Sequence, residues 1–280
     1  MQSVLELLSK CEAFFASKGV PNPRLDAQTL LAKAMKCRRL DLFLRFDDPV
    51  VGAQLDEFRE YVRRRARREP LQHISGSVDF FGLELKCDGR ALVPRHETEE
   101  LCEKAADMLA GNPPARILDL GTGGGAIILA MKSAFGGAEC VAVDADAAAL
   151  ALARENAEKC ALEAEFLHGE WFGPVSGKFG LIISNPPYLT ESEVESAEPE
   201  VRRFDPPAAL SSPDGGLRDL RKIIAEAPAY MEPGALLALE CGLGQPETLK
   251  GENASNRLYS SIETARDLSG RERFLFMRRA

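Results

Sequence analysis

Three stretches near the start of the chain place apolar residues at helical spacing: Val4 to Phe15, then Leu25 to Met35, then Leu55 to Arg68 beyond the break at Pro49. Apolar positions recurring every three and four residues bury one face of a helix, so residues 1–76 are expected to form a small helical domain. The pattern then changes. Val78-Asp79-Phe80-Phe81-Gly82-Leu83-Glu84-Leu85 is aromatic and apolar around one glycine. That is the mark of a short hairpin, and residues 77–90 are expected to link two domains. Across residues 91–280 short apolar runs alternate with helical stretches. Arg116–Leu120, Glu139–Asp144, Phe179–Ser184 and Ala235–Glu240 are the expected strands, and Ala126–Phe135 and Asp146–Lys159 the expected helices, with Asp146 placed to cap the second. This alternation predicts an α/β fold, a mostly parallel sheet covered by helices on both faces, with ligands bound at the carboxyl ends of the strands.

Composition narrows the class. With 280 residues, 45% hydrophobic and 28% charged, the chain can bury a sizeable core and is neither collagenous, disordered nor membrane-spanning. Its first ten residues carry Glu6 and no basic leader, and no apolar run approaches the roughly 18 residues of a spanning helix. A cytoplasmic location with no membrane partner is therefore expected. Seven scattered cysteines with no C-x-x-C pair read as reduced thiols, with no disulfide frame and no metal. The net charge of −8 argues against a broad or stable nucleic-acid interface. Residues 1–90 nevertheless hold 16 Lys+Arg against 13 Asp+Glu, including the run Arg63-Arg64-Arg65-Ala66-Arg67-Arg68. Because Tyr61, Val62 and Ala66 supply an apolar stripe beside it, the run is expected on the solvated face of a helix, the alternative being a patch for an acidic partner or RNA.

The first chemical signal is Asp119-Leu120-Gly121-Thr122-Gly123-Gly124-Gly125, between an expected strand and an expected helix. Glycines there let the backbone turn sharply and approach a ligand closely. Asp144 ends the next strand, where a carboxylate can accept hydrogen bonds from two ribose hydroxyls. The pair fits any adenosine-containing ligand, and G-x-G-x-x-A also satisfies a dinucleotide fingerprint, so a methyltransferase and a dehydrogenase both remain open on this motif. Asp119 favours the former, because a carboxylate two residues before the first glycine attracts an ammonium group and repels a pyrophosphate.

The second signal is sharper. Leu181-Ile182-Ile183-Ser184 runs into Asn185-Pro186-Pro187-Tyr188. Two prolines stiffen the backbone and remove two amide donors. The Asn185 side-chain carbonyl beside the Pro186 carbonyl offers two acceptors, enough to hold both hydrogens of an NH2 group. The Tyr188 ring can stack on a flat amide or base. An amide nitrogen is a poor nucleophile, so orientation is the available lever.

The sequence resembles the release factor glutamine methyltransferase family over nearly its whole length. Arg24-Leu25-Asp26-Ala27, Glu69-Pro70-Leu71-Gln72-His73-Ile74-Ser75-Gly76 and Leu92-Val93-Pro94-Arg95-His96-Glu97-Thr98-Glu99 are similar to family segments. So are Gly169-Glu170-Trp171-Phe172, Val201 to Pro206, Leu239-Glu240-Cys241-Gly242 and Arg266 to Arg273. The resemblance implies a seven-stranded, Rossmann-like, S-adenosylmethionine-dependent methyltransferase domain and a helical domain that grips class 1 peptide chain release factors. It implies that Asp119, Gly121, Thr122, Gly123, Gly124, Gly125 and Asp144 hold the cofactor, with Trp171 beside its adenine. Asn185 would touch cofactor and substrate, and Pro186, Pro187 and Tyr188 would frame the glutamine of a Gly-Gly-Gln tripeptide. Asn185-Pro186-Pro187-Tyr188 alone also fits methylases of adenine or guanine exocyclic amines in DNA or RNA. His96, Gly124 and Cys241 depart from the family's usual residues. Asn185→Ala is expected to remove nearly all turnover while weakening cofactor binding only modestly; undiminished turnover in a methyl-transfer assay would exclude the orienting role.

Overall fold

The computed structural model describes residues 2–280. Two compact units emerge, one comprising the chain through Ser77 together with Glu198–Phe204, the other Val78–Ala197 with Asp205–Ala280. Among the described residues no helix is long and apolar enough to cross a membrane.

The first unit is built on α1 (Val4–Ser17), α2 (Pro23–Ala34) and α3 (Ala53–Ala66), followed by a short helix Leu71–Ser75. Helix α1 starts where the Ser3 hydroxyl accepts the Glu6 N–H and the Glu6 carboxylate accepts the Ser3 N–H, two otherwise orphaned donors satisfied at once. Helix α2 starts on Pro23, whose missing N–H costs nothing in a first turn. Their apolar faces close a single core around Leu7, Phe15, Leu30, Leu31 and Phe58.

The basic run departs from its expected solvated face. Arg65 is only 4% exposed. Its Nε donates to Asp26 Oδ2 at 2.6 Å, and its Nη1 donates to Glu200 Oε1 at 2.7 Å and the Glu69 carbonyl at 3.1 Å. Arg68 grips Glu200 through Nε and Nη2 at 2.7 and 2.6 Å, and Arg64 grips Glu69. The run is thus largely neutralised within its own unit. The apolar stripe that suggested a solvated face could not reveal this, because Asp26 and Glu200 reach α3 from 39 and 135 residues away. Arg63 and Arg67 stay on the solvated side, Arg63 beside Glu60.

The second unit carries the expected α/β fold as a seven-stranded sheet. Its strands are β1 (Arg116–Leu120), β2 (Glu139–Asp144), β3 (Glu165–His168), β4 (Phe179–Ser184), β5 (Met231–Glu240), β6 (Tyr259–Arg266) and β7 (Glu272–Arg279). The order is β6-β7-β5-β4-β1-β2-β3, with β7 antiparallel to both neighbours and the rest parallel. Helices α4 (His96–Leu109), α5 (Ala126–Ala134), α6 (Ala147–Cys160), α7 (Arg218–Glu226) and α8 (Gln245–Glu252) accompany it, and Asp146 caps α6 through the Ala148 N–H as its position suggested. Separate cores lie on the two faces, one around Leu101, Ile128 and Ile183, the other around Leu118, Phe179 and Ile223.

Apolar patterning left three strands, β3, β6 and β7, and three helices, α4, α7 and α8, unread. Strand β3 is a four-residue edge strand exposed at both ends, and β6 is half-exposed along its length, so neither presents a clean apolar run. Strand β7 carries its buried residues between charged ends, and α4 begins in a stretch rich in Glu. The register is what matters for function. Leu120 pairs with Val143 and with Ser184, and Ser184 pairs with Leu239, so the carboxyl ends of β2, β1, β4 and β5 finish level. The strand order reverses at β1, the place where open parallel sheets leave a crevice for ligands.

Arg65→Ala would strand the buried Asp26 carboxylate and is expected to destabilise the helical unit by about 3 kcal/mol. The urea midpoint for loss of helical circular dichroism checks this, and an unchanged midpoint would show that the ion cluster adds nothing to stability.

Candidate active site

At the end of β1 the chain doubles back, and the Gly121 and Thr122 N–H groups both donate to the Val143 carbonyl at 2.8 and 3.0 Å. Gly121, Gly123 and Gly125 take φ of +72°, +55° and +85°, which side chains rarely adopt. Gly125 is also hemmed in, since a Cβ there would stand 3.1 Å from Ala153 Cβ. Gly124 has ordinary φ, but a Cβ would meet Leu152 Cδ2 at 3.2 Å. Glycine at this departure from the family therefore lets α6 pack close to the loop.

Asp144 clamps this loop. Its Oδ2 accepts the Gly123 N–H at 2.7 Å and its Oδ1 the Asp146 N–H at 2.8 Å. Each oxygen keeps a second lone pair, and the residue lines the cleft. Burial raises its carboxyl above the usual range, against the two backbone donors. Trp171, at φ +49°, lays its ring against Gly121, with Cζ3 3.6 Å from where a Cβ would stand.

Asp119 departs from its expected direct contact with a ligand. Strand β1 carries it into the interior, where it is 0% exposed and off the cleft wall. The Thr122 hydroxyl donates to its Oδ2 at 2.5 Å, while Oδ1 is buried with no partner. Burial pushes its carboxyl up to about 7. It braces the glycine loop from behind.

Strand β4 ends in Ser184, whose hydroxyl donates to the Leu120 carbonyl at 2.6 Å. Beyond it, the Asn185 Nδ2 donates to Thr98 Oγ1 at 3.0 Å, leaving Oδ1 as the acceptor end of an amide that lines the cleft. Thr98 Oγ1 donates to Glu240 Oε2 at 2.6 Å, and Tyr188 Oη donates to Glu240 Oε1 at 3.0 Å. Burial raises the Glu240 carboxyl, opposed by these two bonds, and raises the Tyr188 phenol well above its ordinary value. The Tyr188 carbonyl accepts Gln245 Nε2 at 2.9 Å. Gly216, at φ +82°, passes so near that a Cβ would fall 1.9 Å from that carbonyl.

A cleft of about 730 Å³ results, and Gly121, Gly123, Asp144, Trp171, Asn185 and Pro187 line it together. Thr122, Gly124, Gly125, Pro186 and Tyr188 do not reach its wall. Tyr188 was expected to offer a stacking face, but its ring packs on the core beside β4 and its hydroxyl is taken by Glu240. Pattern reasoning missed the wall residues Ala91, Leu92, His168 and Arg218, and the supporting Thr98 and Glu240. Glu240 carried a readable signal, an acidic residue ending an apolar strand. Thr98 carried none beyond its family segment.

The donor set fits S-adenosylmethionine. Asp144, Asp146, Glu170 and Asp219 outnumber the wall arginines Arg90 and Arg218, each already engaged by carboxylates. Such a wall attracts a ligand with sulfonium and ammonium charges and repels a pyrophosphate. The glycine loop would pass beneath it, Asp144 would take its ribose hydroxyls, and Trp171 would face its adenine. His96, another departure from the family, is 96% exposed at the start of α4. Cys241 is buried, with its thiol toward the Leu239 carbonyl.

Both parts of the chain resemble known protein families. Residues 6–76 match the PrmC N-terminal domain family and residues 96–201 the methyltransferase small domain family. The release factor glutamine methyltransferase of Deinococcus radiodurans is 40% identical over 275 residues, 98% of each chain. That of Geobacter sulfurreducens is 37% identical, covering 97% of this chain and 95% of the relative. Among solved structures, the Thermus thermophilus 16S rRNA N2 G1207 methyltransferase in complex with AdoMet and guanosine superposes with a TM-score of 0.53 at 21% identity, over 73% of this chain and 50% of that one. At that identity it shares the fold alone. With near-complete coverage by relatives of one kind and the glycine loop, Asp144 and Asn185 gathered at one crevice, the chain belongs to the release factor glutamine methyltransferase family.

Proposed function

We propose that this protein transfers a methyl group from S-adenosylmethionine to the side-chain amide nitrogen of the glutamine in the Gly-Gly-Gln tripeptide of class 1 peptide chain release factors, modulating translation termination. The observation that carries the reading is Asn185, held by Thr98 so that its amide oxygen is presented at a cleft walled also by Asp144 and Gly121. When bound, S-adenosylmethionine supplies an electrophilic methyl group on a sulfonium, and the protein has to present a nucleophile to it.

A glutamine amide nitrogen is a weak nucleophile because its lone pair is delocalised into the carbonyl. The Asn185 Oδ1, at the cleft wall, accepts an N–H of that amide and turns the nitrogen's electron density toward the methyl group. Orientation of this kind lowers a barrier by as much as ~7–11 kcal/mol. Pro187, on the cleft wall, limits how the amide plane tilts. Tyr188 contributes by fixing Glu240, and Pro186 by stiffening the backbone that carries Asn185. The helical unit, matched over residues 6–76 by the PrmC N-terminal domain family, serves as the substrate-binding domain. The acidic balance of the chain and the pairing of Arg64, Arg65 and Arg68 with carboxylates favour a protein partner over nucleic acid.

Incubating the protein with S-adenosylmethionine and a purified unmethylated release factor should add one methyl mass to the Gly-Gly-Gln glutamine by peptide mass spectrometry. Transfer to added DNA or RNA, with none to the release factor, would keep the chemistry and overturn the substrate. Asp144→Ala is expected to raise the cofactor dissociation constant about tenfold or more, from the loss of one charge-assisted hydrogen bond of ~1.5–3 kcal/mol. An unchanged constant by calorimetry would remove Asp144 from the cofactor site.

A further inference from the structure

Asn185 has two ends that are nearly alike in shape and opposite in chemistry. Its carbonyl oxygen accepts, while its NH2 donates and would repel the NH2 of an incoming amide. Which end faces the cleft decides whether the site can hold a substrate, and neither Pro186 nor the strand before it dictates that choice.

We propose that Glu240 is the positioning residue that sets the orientation of the Asn185 amide, acting through the Thr98 hydroxyl. This rests on the functional reading above and deepens it. The argument is one of proton counting. An ionised carboxylate only accepts hydrogen bonds. Glu240 Oε2 lies 2.6 Å from Thr98 Oγ1, and a hydroxyl has one proton, so Thr98 spends that proton on Glu240. Thr98 can then only accept from Asn185, 3.0 Å away, and Asn185 must offer it Nδ2. The oxygen is left for the cleft.

Tyr188 locks the other side of the same carboxylate, donating to Oε1 at 3.0 Å, so the two carboxylate oxygens are both engaged and the group cannot swing. Burial opposes the ionised form, as does the charge of Glu97, while the hydrogen bonds from Thr98 and Tyr188 and the charge of Arg273 favour it. Glu240, 1% exposed, and Thr98, 5% exposed, are shielded from water that could supply a competing donor. The chain of bonds exists because β4 and β5 are neighbours, with Ser184 opposite Leu239, which puts Asn185, just past β4, beside Glu240, the last residue of β5. A residue placed here only for stability would have been better served by an apolar side chain, since a buried carboxylate carries a desolvation cost.

Glu240→Gln separates orientation from shape. A glutamine NH2 can donate to Thr98, which then donates to Asn185 Oδ1 and turns the NH2 of Asn185 into the cleft. This variant is expected to lower kcat at least about tenfold, the scale of losing one preorganised hydrogen-bond partner, while the cofactor dissociation constant and thermal midpoint stay close to wild type. Thr98→Val should cost a similar factor, Thr98→Ser should recover most of it, and the Glu240→Gln, Thr98→Val double variant should be no slower than the slower single one. The Asn185 side-chain amide resonances, recorded by NMR with S-adenosylmethionine bound and no acceptor present, should shift in Glu240→Gln. Full kcat in Glu240→Gln, or losses that multiply in the double variant, would overturn the proposal. So would Asn185 resonances that do not move. If the wild-type protein methylates no release factor, the functional reading fails, and the resonances still decide the role of Glu240.

Discussion

The hydrogen bond from Asn185 Nδ2 to Thr98 Oγ1 is the constraint around which the site is organised. An asparagine at the end of a strand can rotate and can present either end of its amide, and a surface asparagine does both. Here the amide is held at a level crevice formed by β2, β1, β4 and β5, and its partner is a buried hydroxyl whose own proton is committed to Glu240. Low exposure makes the arrangement stiff, because an unpaired polar group in that setting costs more than it would at the surface. The two prolines then keep the backbone from following any movement of the side chain.

The cofactor side follows a parallel logic with different groups. Glycines at positive φ make the turn possible, and Asp144 makes it permanent by accepting the Gly123 and Asp146 amides with separate oxygens. Asp119 and Thr122 brace the loop from inside the domain and leave its outer face to a ligand. Asp144 both orders the loop and, with Asp146, Glu170 and Asp219, gives the cleft the sign that favours a cationic ligand over a phosphate-bearing one.

In the helical unit, charge is used for tertiary order. Arg65 and Asp26 are almost wholly buried, and Glu200, from a segment far along the chain, completes their neutralisation and is shared with Arg68. The arginine run that looks like a basic surface in one dimension becomes a set of ion pairs in three. What remains exposed on this unit includes Leu40 and Leu44, apolar residues of the turn between α2 and α3.

The sequence by itself determined the local elements and their chemistry. Periodicity placed α1, α2 and α3, apolar runs placed β1, β2, β4 and most of β5, and the glycine loop, Asp144 and Asn185-Pro186-Pro187-Tyr188 stood out because each is a contiguous motif or a strand end. These features depend on contacts within a few residues, and such contacts leave a spacing that can be read. Tertiary structure alone decided the rest. Thr98 and Glu240 are 142 residues apart, and Arg65 and Glu200 are 135 apart. Their meeting depends on strand order and chain path, which no periodicity encodes. Asp119 and Tyr188 were recognised as motif residues, but whether they face the cleft or stand behind it depends on what packs around each once the sheet is covered on both faces. That is settled by burial across the whole domain, not by the motif that contains them.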